Sequence, residues 1–171
     1  MSTEYPPLCV ALHVNTVAAV TGRSVRTWQR RMEQGLVARQ ADGRALVPWA
    51  ALQAELVAPL AAQDAPLLER ADRGEAAAQA DVGALLALAA LDAAQGSEGG
   101  VAAARYFLEL AAQQDEADAM HWLALLHAAG RAGGAEGDAL ALMWLGRAAA
   151  HGHVLAREQV AGLMPGQMPK P

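Results

Sequence analysis

The chain has 171 residues with a formal net charge of -5; 54% are apolar and only 4% aromatic, which suits one large or two small helical domains rich in Ala and Leu. The charge is divided: residues 1–60 carry six basic and four acidic side chains, net +2, whereas residues 61–171 carry seven and fourteen, net -7. The second part is therefore expected to avoid nucleic acid and to face something else.

At the N-terminus no basic stretch followed by an apolar core and a small-residue cleavage site occurs, and the single cysteine, Cys9, excludes an internal disulfide framework. Cys9 reads as a small half-buried apolar residue. Residues 14–37, VNTVAAVTGRSVRTWQRRMEQGLV, predict two short helices around a glycine turn. Asn15 or Thr16 is expected to cap the first, Gly22 to end it, Ser24 to cap the second and Gly35 to stop it. Val25, Trp28 and Met32 recur at helical spacing and predict a packing face. Arg23, Arg26, Thr27, Arg30, Arg31 and Gln34 project from the turn and the outer side, where guanidinium groups can reach phosphates and base edges. A solvated basic face on a helical hairpin is the plainer alternative.

Leu36, Val37 and Ala38 begin an extended run, Asp42-Gly43 offers a tight turn, and 45–47 returns, which predicts a small β-hairpin, a wing, carrying Arg39 and Arg44. Pro48 suits the start of a further helix, WAALQAEL, in which Trp49, Leu52 and Leu56 close a small core. Residues 58–65, with Pro59 followed by Pro66, read as a joint. Beyond it the run 82–91 predicts a buried helix, far short of the roughly 20 apolar residues needed to span a membrane.

The C-terminal part repeats itself. Segments 74–84, 115–125 and 152–162 align without gaps at spacings of 41 and 37, with Ala78, Ala119 and Ala156 in register, then Val82, Leu123 and Val160. Likewise 104–115 parallels 141–152, placing Phe107 over Trp144. Each unit predicts a helix pair, with glycine-rich loops at 95–100 and 130–137, and stacking such pairs builds a core that one pair cannot bury.

The histidines give no enzymatic signal. His121 and His127 are six apart and predict different helix faces, and His151-Gly152-His153 has no carboxylate at ligand spacing, so His151 reads as a helix C-terminal cap. No phosphate-loop, nucleophile-elbow or H-E-x-x-H pattern occurs, and Gly96 to Gly100 reads as a repeat loop. No catalytic residue, cofactor or metal ligand is expected.

The run G-R-S-V-R-T-W-Q-R-R-M-E-Q-G-L-V resembles the MerR and excisionase-type winged helix-turn-helix over residues 10–57. That resemblance implies that Ser24, Arg26, Thr27, Arg30 and Arg31 lie at DNA and that Arg44 is the wing arginine. The paired tyrosines of the MerR branch are absent, and no long heptad helix follows, so that family's dimerising coiled coil and its ligand sensing are not implied. Residues 66–163 resemble Sel-one-like repeats, relatives of the tetratricopeptide repeat, although the glycine of the first-helix signature survives only as Gly83. The segment 65–71 then reads as the second helix of an incomplete leading repeat. Such arrays are protein-binding scaffolds without catalytic activity.

The reading is a mainly α chain: a winged helix-turn-helix domain over 1–58, a short α-α solenoid over 66–163 and a disordered tail at 164–171. The expected function is transcriptional regulation by a cytoplasmic, non-enzymatic protein, with a recognition helix at about 24–34 and DNA-binding residues Arg23, Ser24, Arg26, Thr27, Arg30, Arg31, Arg39 and Arg44. Its expected partners are double-stranded DNA and, through the repeats, a protein or a second copy, with no membrane and no small-molecule substrate. The alternative is an adaptor whose N-terminal module docks a protein.

Overall fold

Two short β-strands, β1 (Ala11–His13) and β2 (Leu46–Pro48), pair antiparallel with Leu12 opposite Val47, and both of these side chains are buried. The computed structural model describes residues 10–37, 46–57, 60–92, 97–132 and 136–163. Among them are nine α-helices: α1 (Val14–Thr21), α2 (Val25–Glu33), α3 (Trp49–Leu52), α4 (Ala65–Asp72), α5 (Ala76–Asp92), α6 (Glu98–Ala112), α7 (Ala117–Ala128), α8 (Gly137–Ala150) and α9 (Val154–Leu163).

Among the described residues the returning segment pairs with β1, a partner not expected from the sequence, and Leu36 and Val37 form no strand. Residues 38–45, which include Arg39, Arg44 and the Asp-Gly turn, lie outside the described residues, as do Cys9 and the tail. Sheet partners are chosen by what the core buries, and Leu12 offers Val47 a buried cross-strand neighbour that the exposed Leu36 does not.

Helix α1 starts two or three residues earlier than expected. His13 is its N-cap and makes no side-chain cap bond, while Asn15 and Thr16 sit inside the first turn. Instead the His13 backbone N–H donates to both carboxylate oxygens of Asp72 in α4, at 3.2 and 3.0 Å. The other boundaries fall where their chemistry places them. Gly22 ends α1 at φ 64, Ser24 Oγ accepts the Thr27 N–H at 3.1 Å to cap α2, and Gly35 follows α2 at φ 71. The helix after Pro48 is shorter than WAALQAEL, passing after Leu52 into a 3₁₀ turn at Gln53–Glu55.

In the C-terminal part each helix packs on the next, most extensively α5 on α6 and α7 on α8. Gly83 makes the first of these contacts possible, since a Cβ there would lie 2.6 Å from Leu108 Cγ and Cδ2. The predicted helix 82–91 lies within α5 but is only partly covered, with Leu85 and Leu88 on the surface. Gly99, Gly100 and Gly137, expected in loops, belong to the first turns of α6 and α8. Segment 65–71 is helical as expected, and the joint before it holds a 3₁₀ turn, Ala62–Asp64, in which Asp64 Oδ2 accepts the Ala61 N–H.

One apolar core runs from Leu12, Val17 and Trp28 through Leu68 and Phe107 to Ala148 and Ala156. The N-terminal elements lie against α4 and α6: α1 packs on α6, Val57 packs against Gly99, and Ser97 Oγ donates to the Val57 carbonyl at 3.2 Å. No helix among the described residues is long and apolar enough to cross a membrane.

Candidate nucleic-acid interface

The sequence of α2 divides it into two sides. Trp28 and Met32, one turn apart, are buried. Trp28 Nε1–H donates to Thr21 Oγ1 at 3.1 Å, and that hydroxyl donates to the Val17 carbonyl at 2.7 Å, so α2 is bonded to α1 inside the core. Val25, the third residue of the predicted packing face, is only half-buried. The other side is wet: Arg26, Gln29, Arg30 and Glu33 are exposed.

The four arginines separate into two pairs. Arg31 Nη1 donates to Glu55 Oε1 at 2.6 Å and Nη2 to Oε2 at 3.3 Å, while its guanidinium carbon lies 4.6 Å from the Trp28 ring centre. Arg23 Nε donates to Glu55 Oε2 at 3.0 Å. The Arg31 guanidinium, with Arg23 assisting and burial opposing, holds the Glu55 carboxyl below its ordinary range. Arg26 and Arg30 make no hydrogen bond or ion pair among the described residues, and they stand one turn apart on the side away from Trp28. Glu33 follows one turn beyond Arg30 and lowers the positive potential there.

Ser24 and Thr27 are committed to the helix start: besides the cap, their hydroxyl oxygens lie 2.9 Å apart. The structure thus brings Arg23, Ser24, Arg26, Thr27, Arg30 and Arg31 onto one short segment, but only Arg26 and Arg30 have unengaged guanidinium groups. Sequence reasoning missed Glu55. It lies 24 residues from Arg31 in a segment assigned to core packing, and apart from its charge nothing local marks it.

Beside this segment lies an open groove of about 740 Å³, lined by Asn15, Ala18, Gly22, Arg23, Ser24 and, across from them, Glu98 and Tyr106. Burial raises the phenol pKa of Tyr106 above the ordinary value, with Thr16 nearby opposing the shift. Glu98 places a negative charge on the far wall.

The histidines form a separate cluster at the α7–α9 junction. The His121 and His153 rings stack at 4.1 Å, His121 Nε2 is 3.0 Å from Gln159 Oε1, and His153 Nδ1 accepts the Ala156 N–H at 3.1 Å, capping α9. His151 is the C-cap of α8, as its sequence position predicts. No group of three or more His, Cys, Asp or Glu able to hold a metal occurs among the described residues. Compared with known proteins, the chain matches no family model, and no curated protein or solved structure matches it.

Proposed function

We propose that the N-terminal unit is a winged helix-turn-helix that binds duplex DNA, with α2 entering the major groove, and that the chain acts in transcriptional regulation. The observation that carries this is the pair Arg26 and Arg30, exposed, unpaired and one turn apart on a helix capped by Ser24 and bonded to α1 through Trp28. An extended arginine reaching a guanine edge gives bidentate recognition, and a helix anchored on its opposite side loses little freedom on binding. Arg23 and Arg31, held by Glu55, set the orientation of the turn and add charge toward phosphates. Arg39 and Arg44 would extend the contact from the wing, and the C-terminal helices, read as Sel-one-like repeats, would recruit a protein or pair two copies. Specific affinity usually requires two such modules on neighbouring half-sites, which gives the array its role.

The adaptor reading draws on two observations: Glu55 neutralises part of the basic cluster, and Leu36, immediately after α2, is 71% exposed. A protein partner covering Leu36 would use the same end of α2. Substitution separates the two readings. Arg26→Ala and Arg30→Ala are expected each to weaken binding to a specific duplex by about 1–3 kcal/mol in an anisotropy titration while leaving the circular dichroism unchanged. Unaltered DNA affinity in both, combined with loss of a protein complex in Leu36→Asp, would establish the adaptor instead.

A further inference from the structure

Helix α9 starts on a different kind of cap from the helices before it. α2 and α6 begin on Ser24 and Ser97, whose hydroxyls accept the N–H three residues on. Glu75 and Glu116 stand immediately before α5 and α7, and in the register of the repeats, at spacings of 41 and 37, their counterpart before α9 is His153. A carboxylate there suits the positive end of a helix dipole. An imidazole suits it only while neutral.

His153 Nδ1 accepts the Ala156 N–H at 3.1 Å, so the neutral ring carries its hydrogen on Nε2. A proton taken up by this ring can therefore go only to Nδ1. There it turns the acceptor into a second donor facing the Ala156 N–H, and it sets a positive charge on a helix N-terminus that is already positive. A protonated His153 and a capped α9 exclude each other.

The groups around the ring decide what that charge meets. From α7, His121 stacks on it at 4.1 Å and also holds Gln159 of α9, with Nε2 3.0 Å from Oε1. Asp118 Oδ1 lies 3.6 Å from His153 Nε2, but the Asp118 side chain is 77% exposed, so water screens the attraction. Asp115, ahead of α7, faces His151 at 3.8 Å rather than His153, and Arg147 of α8 lies over the Trp144 ring. Arg157 of α9 adds a positive charge beside Gly152 and donates through Nε to the Ala149 carbonyl at 3.1 Å. Burial and then His121 disfavour the charged ring, with Asp118 opposing.

Little else holds this helix. Ala156 is its one fully buried residue, and Val154, Leu155 and Leu163 are exposed. At ten residues it is too short to stay helical once undocked. We propose that His153 makes α9 a proton-released helix: uptake of a proton at Nδ1 between about pH 7 and pH 5 removes the cap and frees residues 154–163 from the C-terminal end of α8. The site of release is where the His153 N–H and Arg157 Nε now donate to the Ala148 and Ala149 carbonyls.

Hydrogen exchange of the full chain at pH 8 and pH 5, with intrinsic exchange rates divided out, tests this. Amides of α9 should be less protected than those of α6 at both pH values, as local opening requires, and their protection should fall about fivefold or more between pH 8 and pH 5. His153→Asn supplies a capping oxygen that does not titrate and should make α9 protection equal at the two pH values. His151→Asn should behave as the wild type. Protection of α9 equal to that of α6, no fall in the wild type, a fall that persists in His153→Asn or one that His151→Asn abolishes would each overturn the proposal. The imidazole ¹⁵N shifts of the wild type give a check free of any substitution: at pH 8 they should show His153 protonated on Nε2, and a hydrogen on Nδ1 would overturn it as well.

Discussion

Glu55 is the residue on which the basic segment turns. Bonded to Arg31 and Arg23, it ties the 3₁₀ turn after α3 to the helix start that the arginines surround. Its folded pKa lies below its ordinary 4.5, so its contribution to stability is complete above that value and fades as the pH falls through the folded one. Glu55→Gln should therefore lower stability at neutral pH and flatten the acid limb of a denaturation series below about pH 4.5. The same change frees two guanidinium groups, so non-specific DNA affinity should rise even as stability falls. A parallel fall of both would assign Glu55 a purely structural role. His153 offers a second titration. Burial first, then the adjacent His121, hold its ring below the ordinary 6.5, with Asp118 opposing. The folded state thus loses stability as pH drops below about 6.5, because the unfolded chain takes up the proton more readily. His153→Asn keeps a cap for the Ala156 N–H and should reduce this dependence, whereas His153→Ala loses the cap as well and should cost about 1 kcal/mol at pH 8 and less at pH 5, where the wild type is itself weakened. Thermal melts of both variants at pH 5 and pH 8 check it.

At the scale of elements, the packing of α5 on α6 depends on a side chain that is not there. Gly83→Ala would drive a methyl into Leu108, whose backbone nitrogen is also only 3.1 Å away, so relief requires the helix to shift. The expected cost is about 1–3 kcal/mol, read as a lowered urea midpoint with unchanged slope. Helix boundaries were legible in the sequence where the chemistry is local. Ser24, Gly22 and Gly35 each satisfy or terminate the backbone within three residues, and the alignment of Ala78, Ala119 and Ala156 correctly anticipated three buried positions. Pairings made at a distance were not legible. The partner of β2 is 35 residues away from it in sequence, and hydrophobic alternation alone did not choose between the segment after α2 and β1. The α1–α6 contact was hidden for another reason, because alanines and glycines at 99 and 102 carry no pattern that distinguishes a docking surface from a loop or a helix filler.

For the whole molecule, the sequence suggested two bodies across a joint, with the charge divided between them. The structure runs one apolar core across that joint and adds the His13–Asp72 and Ser97–Val57 bonds at the seam. Heat unfolding followed by tryptophan fluorescence, which reports mainly on Trp28 and Trp49 in the first part and Trp122 and Trp144 in the second, should therefore coincide with the far-ultraviolet dichroism transition. Two separated transitions would restore the picture of independent bodies. The charge division bears on the proposed complex: if the chain binds DNA as proposed, the acidic C-terminal helices would face away from it and the phosphate contacts would come from the basic N-terminal part. The central claim is met most directly by titrating random-sequence duplex DNA with the full chain at several salt concentrations. DNA recognition through α2 predicts binding whose logarithm falls linearly with the logarithm of salt, at a slope of about -0.9 for each phosphate neutralised, and a shallower line for the Arg26→Ala, Arg30→Ala double variant. Absence of binding at low salt, or a slope the double variant leaves unchanged, would contradict it.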